Sequence, residues 1–434
     1  MAETDTDAAD QFDARISPAR LGTGILPLWK RYRQLPRNIV AIGVVSLLND
    51  ASSEIIYPLL PIFLSVTLGA PPAFIGLIEG AAESVSSLLK LPAGYLSDRI
   101  ARRKALVVSG YALASFARPL LAFATNQYQA LVIRLADRVG KGIRTAPRDA
   151  MIADAADLHE RGLAFGFHRA MDHAGAVFGP LLGFLILLLV TANRNSPSAG
   201  DFSKIFLVAS IPALASVLVA LFFVRESSQL ASPASRGLVE PSRLSLRGFD
   251  RNFKRFLFIV ALFTLSNSSD AFLLLRARTA GVAVVAIPLL WAALHASKVL
   301  SSLFGGDLSD RLGRRRLIVS GWVLYAAVYA GFAFVGSPVS VWTLFVVYGI
   351  YFGLAEGAEK ALVADLVRPE QRGTAYGLYN LAFSITVLPA SLLMGAVWSW
   401  QGPRAAFVLG ASLGACAALL LLIFVRAPSH SPKD

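Results

Sequence analysis

The chain alternates long apolar stretches with short polar ones. A helix needs about 20 apolar residues to cross a bilayer, and twelve stretches of that order occur along the sequence. The pattern therefore predicts an all-α integral membrane protein with 12 transmembrane helices. The predicted spans are 39–68, 73–97, 104–124, 128–152, 162–191, 203–224, 254–276, 282–306, 315–336, 340–364, 372–398 and 403–425.

The two halves of the chain repeat each other. Gly94–Lys104 (GYLSDRIARRK) and Gly306–Arg316 (GDLSDRLGRRR) are 212 residues apart, and each lies in a loop between two spans. Ala150–Asp154 matches Ala361–Asp365 at an offset of 211. The repeats predict two pseudo-symmetric six-helix bundles. In that arrangement a binding site forms between the halves, near the middle of the membrane.

Polar segments divide and flank the two halves. The predicted organisation is a cytoplasmic tail (1–38), an N-terminal bundle (39–226), a cytoplasmic linker (227–252), a C-terminal bundle (253–425) and a second cytoplasmic tail (426–434). The linker is rich in Ser, Pro and Arg. The first 38 residues contain no apolar run followed by a cleavage site, so we expect no cleavable signal peptide.

Basic residues are concentrated in loops on one side. The loops after spans 2 and 8 and the linker are rich in Arg, whereas the loops after spans 1, 3 and 9 contain no Lys or Arg. By the positive-inside rule, both termini lie in the cytoplasm. We expect the protein to lie in the cytoplasmic (inner) membrane. The same distribution explains the net charge of +13, so we expect no nucleic-acid partner. The single cysteine excludes an intrachain disulfide.

Predicted helix 4 carries more charge than lipid tolerates. Arg134, Arg138, Lys141 and Arg148 recur at helical spacing and share one face, and each central charge exposed to lipid costs about 2.5–3.5 kcal/mol. We therefore expect this face to turn inwards and to form, with acids of helices 1, 2 and 5, a charge-balanced, paired network rather than a basic pocket. The candidate proton-coupling and cavity residues of this half are Asp50, Glu54, Glu79, Glu83, Arg134, Arg138, Lys141, Arg144 and Asp172.

The second half carries fewer charges within its spans. In the whole chain, His168, His173 and His295 lack the spacing of a metal site, so we expect no metal. No G-x-x-x-x-G-K-[ST] loop is present, so we expect neither a nucleotide nor another cofactor, and no ATP-driven transport. The candidate cavity residues of this half are Asp270, Trp291, His295, Lys298, Glu356 and Glu359.

The repeated loop pattern G-x-L-S-D-R-x-x-R-R resembles the loop signature of the major facilitator superfamily, and the resemblance covers nearly the whole chain. It implies a gating loop that joins helix 2 to helix 11 and controls closure on the cytoplasmic side. Ala101 replaces the usual glycine in the first copy. The gating residues implied are Gly94, Asp98, Arg99, Arg102, Arg103, Gly306, Asp310, Arg311 and Arg314.

Helix 5 contains a second pattern, formed by Gly175, Gly179, Pro180 and Gly183. Small residues permit close helix contact, and a proline permits a bend. The pattern resembles the antiporter motif of the drug–proton antiporters in the same superfamily. Phe184 stands where that motif has its final glycine.

The resemblance implies a secondary transporter that works by alternating access. The antiporter-like pattern favours proton-coupled efflux of a small organic molecule. A proton-coupled uptake symporter for a polar or anionic metabolite is the alternative, and a membrane sensor or an intramembrane enzyme is less favoured. The family also implies that a buried arginine, Arg138 or Arg134, influences proton release from Asp50 or Glu54. The expected partners are a small-molecule substrate, protons and the lipid bilayer, with the monomer as the working unit.

Overall fold

The computed structural model describes residues 35–100, 102–156, 161–226, 246, 248–368 and 371–426. Within these ranges, the side chains of 98–100, 161–162, 303–307, 309–311 and 373 are not described. Nearly all of the two predicted tails and most of the predicted linker lie outside the described residues. The same holds for the surroundings of Gly306 and for the side chains of Asp98, Arg99, Asp310 and Arg311.

Twelve helical segments follow one another in the described part of the chain, with short connections except for residues 223–250 between the sixth and the seventh. Each coincides with one predicted span, and most of the helix ends agree to within a few residues. We number the segments α1 (Arg37–Thr67), α2 (Pro72–Ile100), α3 (Arg103–Phe123), α4 (Gln127–Ala155), α5 (Arg161–Val190), α6 (Ala199–Phe222), α7 (Arg251–Thr279), α8 (Ile287–Leu312), α9 (Arg314–Phe334), α10 (Pro338–Asp365), α11 (Arg372–Gln401) and α12 (Pro403–Phe424).

Polar residues in the connections mark where several helices begin. The side chains of Asn126, Ser198, Asp250 and Ser337 accept backbone N–H bonds in the first turns of α4, α6, α7 and α10. Such caps satisfy N–H groups that the start of a helix leaves without an intrahelical partner. These four residues therefore fix where the helices begin.

Ten of these helices are long and apolar enough to cross a membrane, judged over the described residues. The other two segments are α2 and α4, which carry most of the charges expected within the first half. The charged α4 packs between α2 and α3, and its Arg134, Asp137 and Arg144 are buried. Burial within the protein removes the cost of placing these charges in lipid.

The same helix contacts occur in both halves. In the first half α1 packs on α5 and α6, and α4 packs on α2 and α3. In the second half α7 packs on α11 and α12, and α10 packs on α8 and α9. Between the halves, α2 packs on α11 and α5 packs on α8. These two contacts exchange under the sequence repeat, because α2 corresponds to α8 and α11 to α5.

Helices α1 and α7 are both interrupted. Regular helix stops in α1 at residues 57–59, and in α7 at residues 267–270. The offset of 211 between the halves pairs Tyr57 with Ser268, which lies inside the second interruption. The two interruptions are therefore equivalent in the repeat, although the pattern of apolar residues predicts continuous spans.

Different residues cause the two interruptions. In α1, Pro58 and Pro61 lack a backbone N–H and crowd the preceding turn, which disrupts regular helix. In α7, the sequence Asn267-Ser268-Ser269 supplies short polar side chains, which compete with the helix for backbone hydrogen bonds. After its interruption α1 continues to a π-helical turn, Phe63–Thr67.

Two glycines of α5 bring that helix into close contact with α1. A Cβ atom at Gly175 would lie 2.9 Å from Cβ of Asp50. A Cβ atom at Gly179 would lie 2.8 Å from Cβ of Glu54 and 2.6 Å from the carbonyl oxygen of Ala51. The small-residue pattern of helix 5 is therefore the contact that positions the two acids of α1.

We expect Gly179→Leu to destabilise the protein by about 1–3 kcal/mol, because the added side chain meets backbone atoms of α1 that cannot move aside. The matched control is Gly166→Leu in the same helix, where an added Cβ atom meets nothing within 4 Å. Thermal denaturation of the detergent-purified variants measures both effects. Equal melting temperatures for the two variants would contradict the contact assigned to Gly179.

Candidate functional site

A cavity of about 700 Å³ lies between the two halves. Its walls come from α1 to α5 in the first half and from α8 and α10 in the second. Sites that hold small organic molecules have volumes of about 300–1,000 Å³. The charged side chains lining this cavity are Asp50, Glu54, Lys90, Arg118, Asp137, Arg138, Lys141, Arg144, Arg148, Arg169, Asp172, Lys298, Glu356 and Lys360.

The cavity is closed at one end by α2 and α11. We call the side that carries the basic residues of 102–104 and 314–316 the basic face, and the opposite side the far face. At the far face, the backbone N–H of Ala73 donates to Oγ of Ser399 over 3.0 Å. A Cβ atom at Gly80 would lie 3.0 Å from Cβ of Ser391. Helices in such close contact leave no room for the cavity to extend to the far face.

Trp291 completes this closure from α8. Its indole Nε1 donates to Oε2 of Glu54 over 2.7 Å, which joins the second half to the first. Its ring centroid lies 5.1 Å from that of Tyr57. Only 3% of Trp291 is exposed, so it is buried between the cavity and the far face rather than lining the cavity.

The opposite end of the cavity is open. Arg169 and His173 of α5 are exposed and line it from the first half. Glu356 and Lys360 of α10 line it from the second half, with side chains 57% and 49% exposed. These residues lie on the parts of α5 and α10 nearer the basic face. The cavity therefore opens toward the basic face.

A largely buried network of three guanidinium groups and two carboxylates forms part of the cavity wall and extends behind it. Arg134 donates to Glu79 through two bonds of 3.1 and 3.0 Å. Asp137 accepts a 2.8 Å bond from Arg118, and its second oxygen lies 3.5 Å from Arg134 and 3.7 Å from Arg138. Glu79 and Arg134 do not line the main cavity. Of the two arginines that the family resemblance offers as the buried arginine of helix 4, only Arg138 does.

Arg118 was missed by the sequence reasoning. It lies at the end of α3, is 5% exposed, and also donates to the carbonyl oxygen of Asn49 over 3.1 Å. A lone arginine in an otherwise apolar span was the available signal, because a charge in that position needs a partner inside the protein. Its carboxylate partner, Asp137, lies one helix away on α4.

The expected balance of charges does not hold for the cavity lining. Among the described residues, nine Lys and Arg side chains line the cavity against five Asp and Glu side chains. The count from sequence was balanced because it included Glu79, Glu83 and Asp149, none of which lines the cavity, and omitted Arg118, which does. The lining is basic, which corrects the prediction of a paired and neutral network.

The acids of α1 and α5 are held by neutral partners. Asp50 accepts a 2.9 Å bond from Asn49, and Glu54 accepts the bond from Trp291. Asp172 lies 3.6 Å from Nδ1 of His168. None of these three acids has a Lys or Arg side chain of the described residues within ion-pair distance. All three line the cavity.

The predicted residues of the second half separate into two groups. His295, Lys298 and Glu356 line the cavity, whereas Asp270, Trp291 and Glu359 do not. Lys298 connects the two groups. Its Nζ lies 3.7 Å from a carboxylate oxygen of Asp270, behind the cavity, and 3.6 Å from the ring centroid of Phe352, which lines the cavity on α10.

Glu359 lies behind the cavity, among aromatic residues. Its two oxygens accept a 2.8 Å bond from the indole of Trp322 and a 2.7 Å bond from the hydroxyl of Tyr379. Only 8% of Glu359 is exposed. These bonds hold the carboxyl group away from the cavity and account for its position outside the lining.

The basic loops are tied to the ends of other helices in the same half. Arg103 forms an ion pair with Asp154 at the end of α4, and Arg314 forms one with Asp365 at the end of α10. Arg314 also donates to a backbone carbonyl of α10 over 2.8 Å. Asp154 and Asp365 are the last residues of the repeated segments Ala150–Asp154 and Ala361–Asp365. That repeat was the sequence signal that could have identified them. A Cβ atom at Gly94 would lie 3.4 Å from Cβ of Ala146 on α4, which is an ordinary van der Waals contact.

No group of three or more His, Cys, Asp and Glu residues in the described part of the chain is arranged to hold a metal ion. The cavity is a charged, water-accessible space with one closed and one open end. Such a space can bind a polar or charged solute from the open side.

Known proteins resemble this chain over most of its length. The sequence profile of the Major Facilitator Superfamily matches residues 42–385 and 256–434. An uncharacterized MFS-type transporter of Methanocaldococcus jannaschii is 35% identical over 399 residues, which is 90% of this chain and 95% of that protein. The multi-drug resistance efflux pump PmrA homolog of Lactococcus lactis is 25% identical over 387 residues, or 87% and 92% of the two chains.

The fold is also found among solved structures. A bacterial homolog of the human lysosomal transporter Spinster, in an inward-facing and occupied conformation, has a TM-score of 0.71 at 17% identity and covers 94% of this chain and 100% of that chain. The similarity to PmrA confirms the resemblance to drug–proton antiporters predicted from the loops and helix 5. The chain belongs to the major facilitator superfamily and is a multi-pass membrane transporter, not an enzyme.

Proposed function

We propose that this protein exports a small organic solute in exchange for protons, by alternating access between two six-helix bundles that both lie in the inner membrane. The observation that carries the proposal is a cavity of about 700 Å³ that is open at the basic face and closed at the far face. With the basic face in the cytoplasm, as the positive-inside rule requires, the cavity is open to the cytoplasm. A solute can then enter from inside the cell.

The acids of α1 are the proposed proton carriers. Asp50 and Glu54 line the cavity and accept hydrogen bonds from neutral groups, so protonating either carboxylate breaks no ion pair. Glu79 is less suited, because Arg134 holds both of its oxygens. The bond from Trp291 also makes the state of Glu54 sensitive to closure at the far face. This link offers a route by which proton binding and opening affect each other.

Export rather than uptake is supported by a relative. The PmrA homolog of Lactococcus lactis is named as a multi-drug resistance efflux pump, and the α5 glycines resemble an antiporter motif. A proton-coupled uptake symporter is the second candidate, and it is favoured by the polar, charged lining of the cavity. The two candidates differ in the direction in which protons move relative to solute.

Inside-out membrane vesicles with a respiration-driven, acidic interior test the proposal. A solute that the antiporter exports is expected to release protons from the vesicles and to restore acridine-orange fluorescence. Naphthalene-1-sulfonate and 1-naphthylmethylammonium are the two probes, and vesicles without the transporter correct for protons that the free amine carries by itself. Glu54→Gln is expected to abolish this response. The control is Glu226→Gln, four residues beyond the end of α6 and outside the cavity; it is expected to retain the response, because a Gln side chain can still accept the bond from the backbone N–H of Lys104. Proton uptake into the vesicles together with solute would contradict export and would identify a symporter.

A further inference from the structure

The excess of positive charge in the cavity is concentrated in the first half. Seven of the nine cationic side chains that line the described cavity belong to α2 to α5. Arg118, Arg138 and Arg148 have carboxylates of the first half within ion-pair distance. Four cations of this half have no such partner among the described residues. We call these four the cation cluster: Lys90, Lys141, Arg144 and Arg169.

Arg144 is the most constrained member of the cation cluster. It is 4% exposed, and its Nε and Nη1 atoms are buried without any hydrogen-bond partner. Its guanidinium carbon lies 4.3 Å from the ring centroid of Tyr111, which holds the group against α3. A buried cation that lacks both a counter-ion and hydrogen-bond acceptors is costly. A site that has evolved to hold an anionic ligand explains why this cost is tolerated.

The nearby acids do not fill this role. Asp50 and Asp137 are near enough to Arg144 to interact electrostatically, but neither has an oxygen within ion-pair distance of it, and Asp137 is already bonded to Arg118. Glu83 on α2 is likewise near enough to Lys141 to interact electrostatically, but none of its oxygens lies within ion-pair distance of Lys141. The cation cluster thus lies near these carboxylates without a direct ion pair to any of them among the described residues, and its members line the open cavity.

We propose that the cation cluster is an anion subsite, and that the solute carried by this transporter bears a carboxylate, sulfonate or phosphate group. The inference rests on the proposed function, because it takes the cavity as the transport route. Arg144 supplies unused N–H donors in a planar group suited to an oxyanion. Lys141 lies one helical turn before it on the same wall. The remaining volume of the cavity, toward Phe352 on α10, receives the rest of the molecule.

Calorimetric titration of the detergent-purified full chain tests the subsite with two probes that share one ring system. Naphthalene-1-sulfonate is expected to bind and 1-naphthylmethylammonium is not. Arg144→Gln and Lys141→Gln are each expected to weaken sulfonate binding at least about tenfold, because each removes a charge-assisted contact. Arg404→Gln is the matched control and is expected to leave binding unchanged, since Arg404 lies at the start of α12 against the ring of Phe334. High salt is expected to weaken binding of the anion.

Several results would overturn the subsite. These are preferential binding of the ammonium probe, unchanged sulfonate affinity in both the Arg144 and Lys141 variants, or no binding of either sulfonate or inorganic phosphate. Lys141→Gln keeps the test decisive if Arg144→Gln does not fold, because Lys141 is only partly buried.

The test separates failure of the subsite from failure of the proposed function. Binding of inorganic phosphate alone would support the anion subsite and contradict an organic solute. Sulfonate binding without sulfonate flux in vesicles would support the subsite and contradict transport of this class of solute. Flux of the ammonium probe without anion binding would support export and overturn the subsite.

Discussion

Replacing Asp137 with Asn is expected to destabilise the protein by about 3–5 kcal/mol, because it leaves buried guanidinium groups without their shared carboxylate. Asp137 is 4% exposed and lies within ion-pair distance of Arg118, Arg134 and Arg138. In the variant, Glu79 still pairs with Arg134. Arg118 is therefore the guanidinium group that loses most of its stabilisation, because Asp137 is its carboxylate partner. Thermal denaturation and the yield of monodisperse protein in detergent measure the loss.

The control for this prediction lies on the same helix. Asp149 also accepts from an arginine of α4, Arg148, but 45% of its side chain is exposed, and exposed pairs contribute only about 0–1 kcal/mol. Asp149→Asn is therefore expected to change stability little. Adding Arg118→Gln to Asp137→Asn is expected to recover part of the loss, because it removes the unpaired charge. Equal effects of the two Asn substitutions would contradict the assigned network.

A cross-link at the far face is expected to stop transport. In a Cys416→Ser background, Ala73→Cys and Ser399→Cys place two thiols where α2 and α11 are in contact over 3.0 Å. Oxidation is expected to hold the far face closed, so that the cavity cannot open on that side and flux is almost completely lost. Reduction is expected to restore flux measured in the same vesicles.

Two controls accompany this experiment. Each single cysteine variant, treated with the same oxidant, is expected to keep its flux, because it cannot form the cross-link. Mass spectrometry verifies that the disulfide has formed in the double variant. Undiminished flux by fully cross-linked protein would show that the far face does not need to open, and would contradict alternating access.

Much of the fold followed from the sequence, for two physical reasons. A bilayer requires long apolar helices, so hydropathy alone located ten spans. The remaining α2 and α4 are charged, and for α4 the repeat with α10 was the reason to retain it as a helix. Its placement was then constrained, because Arg134, Asp137 and Arg144 must be buried against protein rather than lipid.

The site was less predictable, because a helix face does not specify which neighbour each side chain meets. The sequence placed Glu79 and Arg138 in one charged region, but Glu79 is bonded to Arg134 outside the cavity while Arg138 lines it. Arg118 in an apolar span signals a partner inside the protein, but the sequence does not indicate that this partner is Asp137 on α4. Counting acids and bases predicted neutrality, whereas the direction of each side chain makes the lining basic.

The interruptions of α1 and α7 bear on how the two halves diverged after duplication. Equivalent positions keep the same bend, although prolines produce it in one half and Asn267-Ser268-Ser269 produces it in the other. The two halves therefore share a backbone shape that different residues generate in each. In relatives of this protein, the bend is better sought by its position in the repeat than by any proline or serine motif.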